Sequence, residues 1–126
     1  MSRYKKDFGD WGEETAAAYL TGKGYGILAR KYYTSFGELD IIASAPDGKT
    51  IVFAEVKTRR SKKYGDAAMS ISRSKIQSII GSAQQYALEN PSDADYRFDV
   101  IEVYRNGEEI ELNHIENAFF DVGLYL

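Results

Sequence analysis

The spacing of apolar and polar positions along this chain separates two helices from five strands. From about Asp10 to Lys23 the run WGEETAAAYLTGK is rich in Ala and Glu, opens with acids that suit a helix N-terminus, and ends in Gly22 and Gly24. Ile, Val, Phe and Tyr then mark strands over Tyr25 to Tyr33, Glu38 to Ser44 and Thr50 to Thr58, with Ser35 to Gly37 and Pro46-Asp47-Gly48 as turns. These three predict a meander. Ser72 to Asn90 places Ile76, Ile79, Ile80, Ala83 and Ala87 on one helical stripe that stops before Pro91. Tyr96 to Tyr104 and Glu109 to His114 complete the set as strands joined through Asn106-Gly107, a strong hairpin signal. The order αβββαββ predicts one α/β domain over residues 1–126, with a central mixed sheet flanked by helices.

Composition narrows the chemistry. The 126 residues are 44% hydrophobic and 28% charged, with two prolines, which describes a folded globular chain rather than a disordered one. There is no cysteine and one histidine, so thiolate sites and His-rich sites are excluded and any metal must be held by oxygen. No apolar stretch approaches the roughly 18 residues of a membrane span, and Met1 to Asp10 lacks the apolar core of a signal peptide, so a cytoplasmic, non-membrane protein is expected. The net charge of −3 argues against a surface coated in positive charge. Locally the balance inverts: Lys57, Arg59, Arg60, Lys62 and Lys63 put five cations into seven residues without an acid, and Arg73 and Lys75 follow. Such a run is either a solvated loop or a phosphate-binding rim.

The second and third strands carry the candidate chemistry. With Pro46 to Lys49 as the turn, Ser44 opposes Ile51, Ile42 opposes Phe53, Asp40 opposes Glu55 and Glu38 opposes Lys57. The intervening Leu39, Ile41 and Ala43 then meet Val56, Ala54 and Val52 on a wholly apolar face. Asp40 and Glu55, directly opposed on strands written for burial, repel each other unless one takes a proton or a cation lies between them. A hard divalent cation such as Mg2+ or Mn2+ suits that pair. Lys57 points to the same face about 6.6 Å beyond Glu55, where an ammonium could orient water or stabilise charge on a phosphate. The alternative is a plain cross-strand salt bridge between Glu38 and Lys57. On the first helix, Glu13 falls among Ala16, Ala17 and Leu20, on the sector facing the sheet, and needs either the metal site or an inward cation as partner.

The residues quoted so far, an acid on the first helix, then Asp40, then Glu55-Val56-Lys57, resemble the pattern of the PD-(D/E)XK nuclease superfamily. More closely, the chain resembles the bacterial YraN family, which is similar to archaeal Holliday-junction resolvases. The resemblance runs nearly end to end through Gly9-Asp10-Trp11-Gly12-Glu13, Gly24-Tyr25, Gly37-Glu38-Leu39-Asp40, Phe53 to Arg59, Arg73-Ser74-Lys75 and Arg97-Phe98-Asp99-Val100. Lys31 stands where Asn is usual. What the resemblance implies is a restriction-endonuclease-like fold and a Mg2+- or Mn2+-dependent endonuclease acting on DNA, structured or branched. Asp40 and Glu55 would be metal ligands, and Lys57 and Glu13 would complete the catalytic set. A nucleic-acid-binding module that keeps the scaffold without turnover is the alternative.

In either reading Arg59, Arg60, Lys62 and Lys63 contact phosphates. Lys75 does so too or merely snorkels. Symmetric cutting of two strands would further require a homodimer. Arg97 and Asp99 read as a structural ion pair, His114 and Trp11 as packing or surface, and Phe119-Phe120 as a cap on the core or an interface.

Overall fold

Seven elements follow one another in the expected order in the computed structural model, which describes residues 3–60 and 71–119. They are α1 (Arg3–Gly22), β1 (Gly26–Thr34), β2 (Gly37–Ser44), β3 (Thr50–Arg59), α2 (Arg73–Glu89), β4 (Asp95–Asn106) and β5 (Glu109–Ile115). The five strands form one mixed sheet in the spatial order β1-β2-β3-β4-β5. Only the β3–β4 pair is parallel, and the α2-bearing crossover between them supplies the long connection that parallel neighbours need. This is a single α/β domain. No helix among the described residues is long and apolar enough to cross a membrane.

The helices lie on opposite faces of the sheet. Beneath α1, Ala16 and Leu20 pack on Ile41, Ala43, Val52, Ala54, Ile101 and Val103, whereas Ile79, Ala83 and Tyr86 of α2 pack on Ile42, Phe53 and Phe98. Ser72 caps α2 by accepting from Lys75 N at 3.0 Å, and Asn90 closes it. Asn106 pairs with Glu109 across a two-residue turn in which Gly107 takes φ 66°, the conformation its lack of a Cβ makes accessible. Phe119 stacks on Phe98 with ring centroids 5.2 Å apart and so caps the core; Phe120 lies outside the described residues.

Arg97 and Asp99 form the ion pair expected of them, with Arg97 donating from Nε and Nη2 to both carboxylate oxygens. Asp99 is fully buried, which alone would raise its pKa, but bonds from His114 and Arg97 outweigh burial and hold it low. His114 bonds Asp99 through Nε2 at 2.7 Å and the Tyr19 hydroxyl through Nδ1 at 3.1 Å, so one polar network ties β5 and α1 to β4.

One boundary differs from the pattern-based expectation. The first helix begins at Arg3 rather than near Asp10, because Phe8 stacks on Trp11 and Lys6 pairs with Asp10 one turn on, extending the helix through a segment with no apolar stripe. Within it, Gly12 sits where a Cβ would meet Thr58 Oγ1 of β3 at 2.0 Å, whereas a Cβ at Gly9 meets nothing within 4 Å. Gly12 therefore sets how closely α1 approaches the strand that carries Glu55 and Lys57. In urea titrations Gly9→Ala is expected to stabilise the protein by about 0.5–1 kcal/mol through helix propensity. Gly12→Ala is expected to destabilise it by about 1–3 kcal/mol through overpacking. Equal effects would show that the close approach carries no stability.

Candidate metal centre

The β2–β3 ladder follows the expected register from Ser44–Ile51 through Ile42–Phe53 and Ala43–Val52 to Ile41–Ala54, and there it ends. The pairs projected beyond it, Asp40 with Glu55 and Glu38 with Lys57, are not part of the ladder. At this point the strands part, and the Asp40 side chain enters the gap, where Oδ2 accepts the Val56 N–H at 2.9 Å. A side chain thus replaces the backbone carbonyl that a continuing ladder would have offered. The face alternation breaks at the same residue. Leu39, placed by simple alternation with Ile41 and Ala43 under α1, packs instead with Ile42, Phe53 and Ile79 on the α2 side. Across β1, Lys31 stands between the paired Arg30 and Tyr32 as Asp40 stands between Ile41 and Leu39, and Lys31 has φ 51°, an uncommon left-handed conformation for a side-chain-bearing residue.

This fork gathers more carboxylates than the opposed pair alone. Oxygens of Glu13, Glu38 and Asp40 lie within 4.8 Å of one another. On the other side the Asp40 carboxyl faces that of Glu55, and Glu38, Asp40 and Glu55 line one crevice with Leu39, Phe53, Ala54 and Ile79. Asp40 thus lies in the fork, between Glu55, with which it lines one crevice, and the pair Glu13 and Glu38.

Two lysines face the cluster. Lys31 Nζ lies 2.8 Å from Asp10 Oδ1 and 3.2 Å from Glu13 Oε1, which answers the question of the inward partner of Glu13. Lys75 Nζ lies 3.4 Å from Glu55 Oε2, so its placement at the start of α2 serves a carboxylate of the cluster. Neither contact has hydrogen-bond geometry at the carboxylate concerned, and Glu13 Oε1 and Glu55 Oε2 remain buried without a donor. Glu55 is only 7% exposed. Burial, the hydrogen bond to Glu55 and the charge of Glu55 push Asp40 up to about 8, against the Val56 N–H and the charge of Lys75. Burial and the charge of Asp40 raise Glu13 as well, while Lys31 opposes them.

Lys57 follows Glu55 on the α2 side of β3 and is half-buried; no ion pair or hydrogen bond joins it to another described residue, so the Glu38–Lys57 salt bridge is not formed. In the sheet it stands beside Glu102, a buried carboxylate that accepts from Asn113 Nδ2 at 2.7 Å and from the Tyr104 hydroxyl. Of the basic run, Arg59 ends β3 and Arg60 lies over the Phe8 ring, while Lys62 and Lys63 lie outside the described residues.

The register placed Glu38 among the ionisable groups of the site but gave it only a salt bridge to Lys57, and the pattern did not single out Lys31 as the cation beside Glu13. A strand alternation carries no sign of the break that brings Glu38 close to Glu13.

The raised pKa of Asp40 has a signed consequence. In the unfolded chain Asp40 ionises near 3.8 and in the folded protein near 8, so over that window the native state holds a proton that the unfolded state has released. Stability conferred on the cation-free protein is thus lost as pH rises from about 4 to about 8. Thermal unfolding in EDTA is expected to show Tm falling across this window in the parent and falling less in Asp40→Asn. The variant should be the more stable at pH about 8, by roughly 1–3 kcal/mol. Parallel pH curves would contradict the assignment.

The fold and the site define an α/β protein whose sheet opens around a half-buried carboxylate, with an acid from its first helix closing the cluster. The chain belongs to the uncharacterised protein family UPF0102, whose model matches residues 12–103, a span that contains every member of the cluster. It is 45% identical over 117 residues to a UPF0102 protein of Alkaliphilus oremlandii (strain OhILAs), covering 90% of this chain and 98% of the relative. A UPF0102 protein of Clostridioides difficile (strain 630) is 45% identical over 115 residues, covering 90% of this chain and 97% of its own. One from Flavobacterium psychrophilum is 35% identical over 114 residues, covering 90% and 94%.

Proposed function

We propose that this protein is a divalent-cation-dependent endonuclease of the PD-(D/E)XK kind, hydrolysing phosphodiester bonds in DNA on a restriction-endonuclease-like scaffold. The observation that carries the reading is the fork itself, where Asp40 lies between Glu55 and the Glu13–Glu38 pair. Folding drives these groups together at the cost of an elevated Asp40 pKa and two buried oxygens, Glu13 Oε1 and Glu55 Oε2, met only by loosely directed lysine ammonium groups. Four carboxylates there face the two ammonium groups of Lys31 and Lys75, a shortfall that one divalent cation makes good. An all-oxygen donor set suits Mg2+ or Mn2+.

Asp40 and Glu55 would hold the cation, with Glu13 and Glu38 directly or through water. Such a cation supplies Lewis-acid activation of the phosphate and neutralises its charge. Lys57, unpaired among the described residues, would orient the attacking water or stabilise charge on the phosphate, and Lys75 would turn from Glu55 toward the substrate. Arg59, Arg60, Lys62 and Lys63 would contact flanking phosphates, since the run leaves the strand that delivers Glu55 and Lys57.

One observation favours a second reading. Lys31 and Lys75 already neutralise part of the cluster from within, which is what a DNA-binding module without turnover would need. A cleavage panel of branched, single-stranded and duplex DNA with Mg2+ or Mn2+ separates the two. The parent is expected to cut, and Glu55→Gln to lose cleavage by about 100-fold or more while retaining DNA binding. Binding without cleavage by the parent would establish the module, and equal cleavage by parent and variant would refute the assignment of Glu55.

A further inference from the structure

The flank of α1 away from Glu13 carries a second site. A pocket of about 450 Å3 opens there, lined by Asp7, Phe8, Trp11, Arg60, Arg105 and Gly107. Phe8 and Trp11 stand nearly parallel, with planes 7° apart and centroids 5.7 Å apart. Arg60 lies over the Phe8 ring and Arg105 over the Trp11 ring, each guanidinium 5.2 Å from the ring centroid. Arg105 is held from the turn side, where its Nε donates to Gly107 O at 3.3 Å. Two flat rings, two planar cations and one carboxylate at the rim do not form an apolar packing site. Aromatic faces and guanidinium planes bind the π-face of a nucleobase, the guanidinium charge binds its phosphate, and a carboxylate accepts from exocyclic amino groups.

The position gives this pocket its meaning. Gly12 touches β3 at Thr58, so α1 crosses the sheet there with Glu13 toward Asp40 and Lys31 on one flank and Trp11 toward Arg105 of β4 on the other. β2 and β4 are two strand spacings apart, roughly 10 Å, and Arg105 lies five residues beyond Val100, the neighbour of Glu55, or roughly 16 Å further along the strand, so the pocket lies a few nucleotides from the acidic cluster.

We propose that this pocket takes the base of an unpaired nucleotide a few positions from the scissile phosphate, so that the favoured substrate is DNA with a single-stranded segment adjoining a duplex. The base stacks on Phe8 and Trp11, and Arg60 and Arg105 turn from the rings to its phosphate. This rests on the nuclease reading for the identity of the neighbouring site, but base capture needs neither cation nor turnover.

Trp11 is the single tryptophan of the chain and reports from inside the pocket. The test uses the full chain in EDTA, titrated with a duplex bearing a short single-stranded tail, the same duplex with an abasic tail, a blunt duplex, and deoxyadenosine monophosphate. The tailed duplex is expected to quench Trp11 emission and to bind on the order of 10-fold more tightly than the abasic-tailed or blunt duplex. By anisotropy, Phe8→Ala should remove the preference for the tailed over the abasic-tailed duplex. Arg105→Gln, at an exposed position, should weaken the tailed duplex more than the blunt one. Equal binding of tailed and abasic-tailed duplex with unchanged emission overturns the proposal, and so does equal affinity for the mononucleotide, which would assign the pocket to a free nucleotide. A tail preference in a protein that never cleaves would sustain the pocket and refute the nuclease; cleavage without tail preference would do the reverse.

Discussion

The hydrogen bond from Val56 N–H to the Asp40 carboxylate is the contact on which the site depends. Where β2 and β3 part, both strands would leave buried backbone groups without partners, at a cost of about 1–3 kcal/mol each. Asp40 supplies an acceptor for one of them and thereby holds the fork open. The same act fixes its carboxyl beside Glu55 and within reach of Glu13 and Glu38, where charges of one sign accumulate. Backbone satisfaction and electrostatic strain are thus two sides of one contact, and the elevated pKa of Asp40 measures the second.

The rest of the architecture serves this opening. α1 brings Glu13 to it because Gly12 lets the helix settle onto Thr58 of β3, and the left-handed turn of β1 at Lys31 presents an ammonium to Glu13 and Asp10. The parallel β3–β4 pair continues past the fork through Lys57–Glu102 to Arg59–Tyr104, so the strand delivering Glu55 stays anchored on one side while free on the other. On the strand beside the fork, where Asp99 neighbours Ala54, the Arg97–Asp99–His114–Tyr19 network clamps α1 to β4 and β5. The rigid end and the open end of the helix are therefore distinct.

Element order, the α2 limits and the hairpin register near Pro46 were all legible in the sequence, because each rests on local signals: an apolar stripe bounded by Ser72 and Asn90, alternating strands, and turn residues. The metal candidates Asp40 and Glu55 were legible for the same reason, since two acids in strands otherwise written for burial conflict with their surroundings. The break in alternation at Leu39–Asp40 was not. It depends on Lys31 of the neighbouring strand adopting a positive φ and on a side chain replacing a backbone acceptor, neither of which leaves a periodic trace. The early start of α1 escaped because Arg3 to Gly9 has no apolar stripe and is held by the Phe8–Trp11 stack and the Lys6–Asp10 pair. Lys75 was correctly placed at the head of α2, but its contact with Glu55 follows from how the helix docks on the sheet.

Whether the fork is a cation site is answered most directly by calorimetric titration of Mn2+ into the purified protein near neutral pH, repeated in buffers of different ionisation enthalpy. Because burial and neighbouring acids favour the protonated form of the cation-free cluster, binding of each ion should release protons. Affinity and proton release should both collapse in Asp40→Asn. Absence of binding, or binding that releases no proton and is unchanged in the variant, would contradict the assignment of the fork as a metal centre.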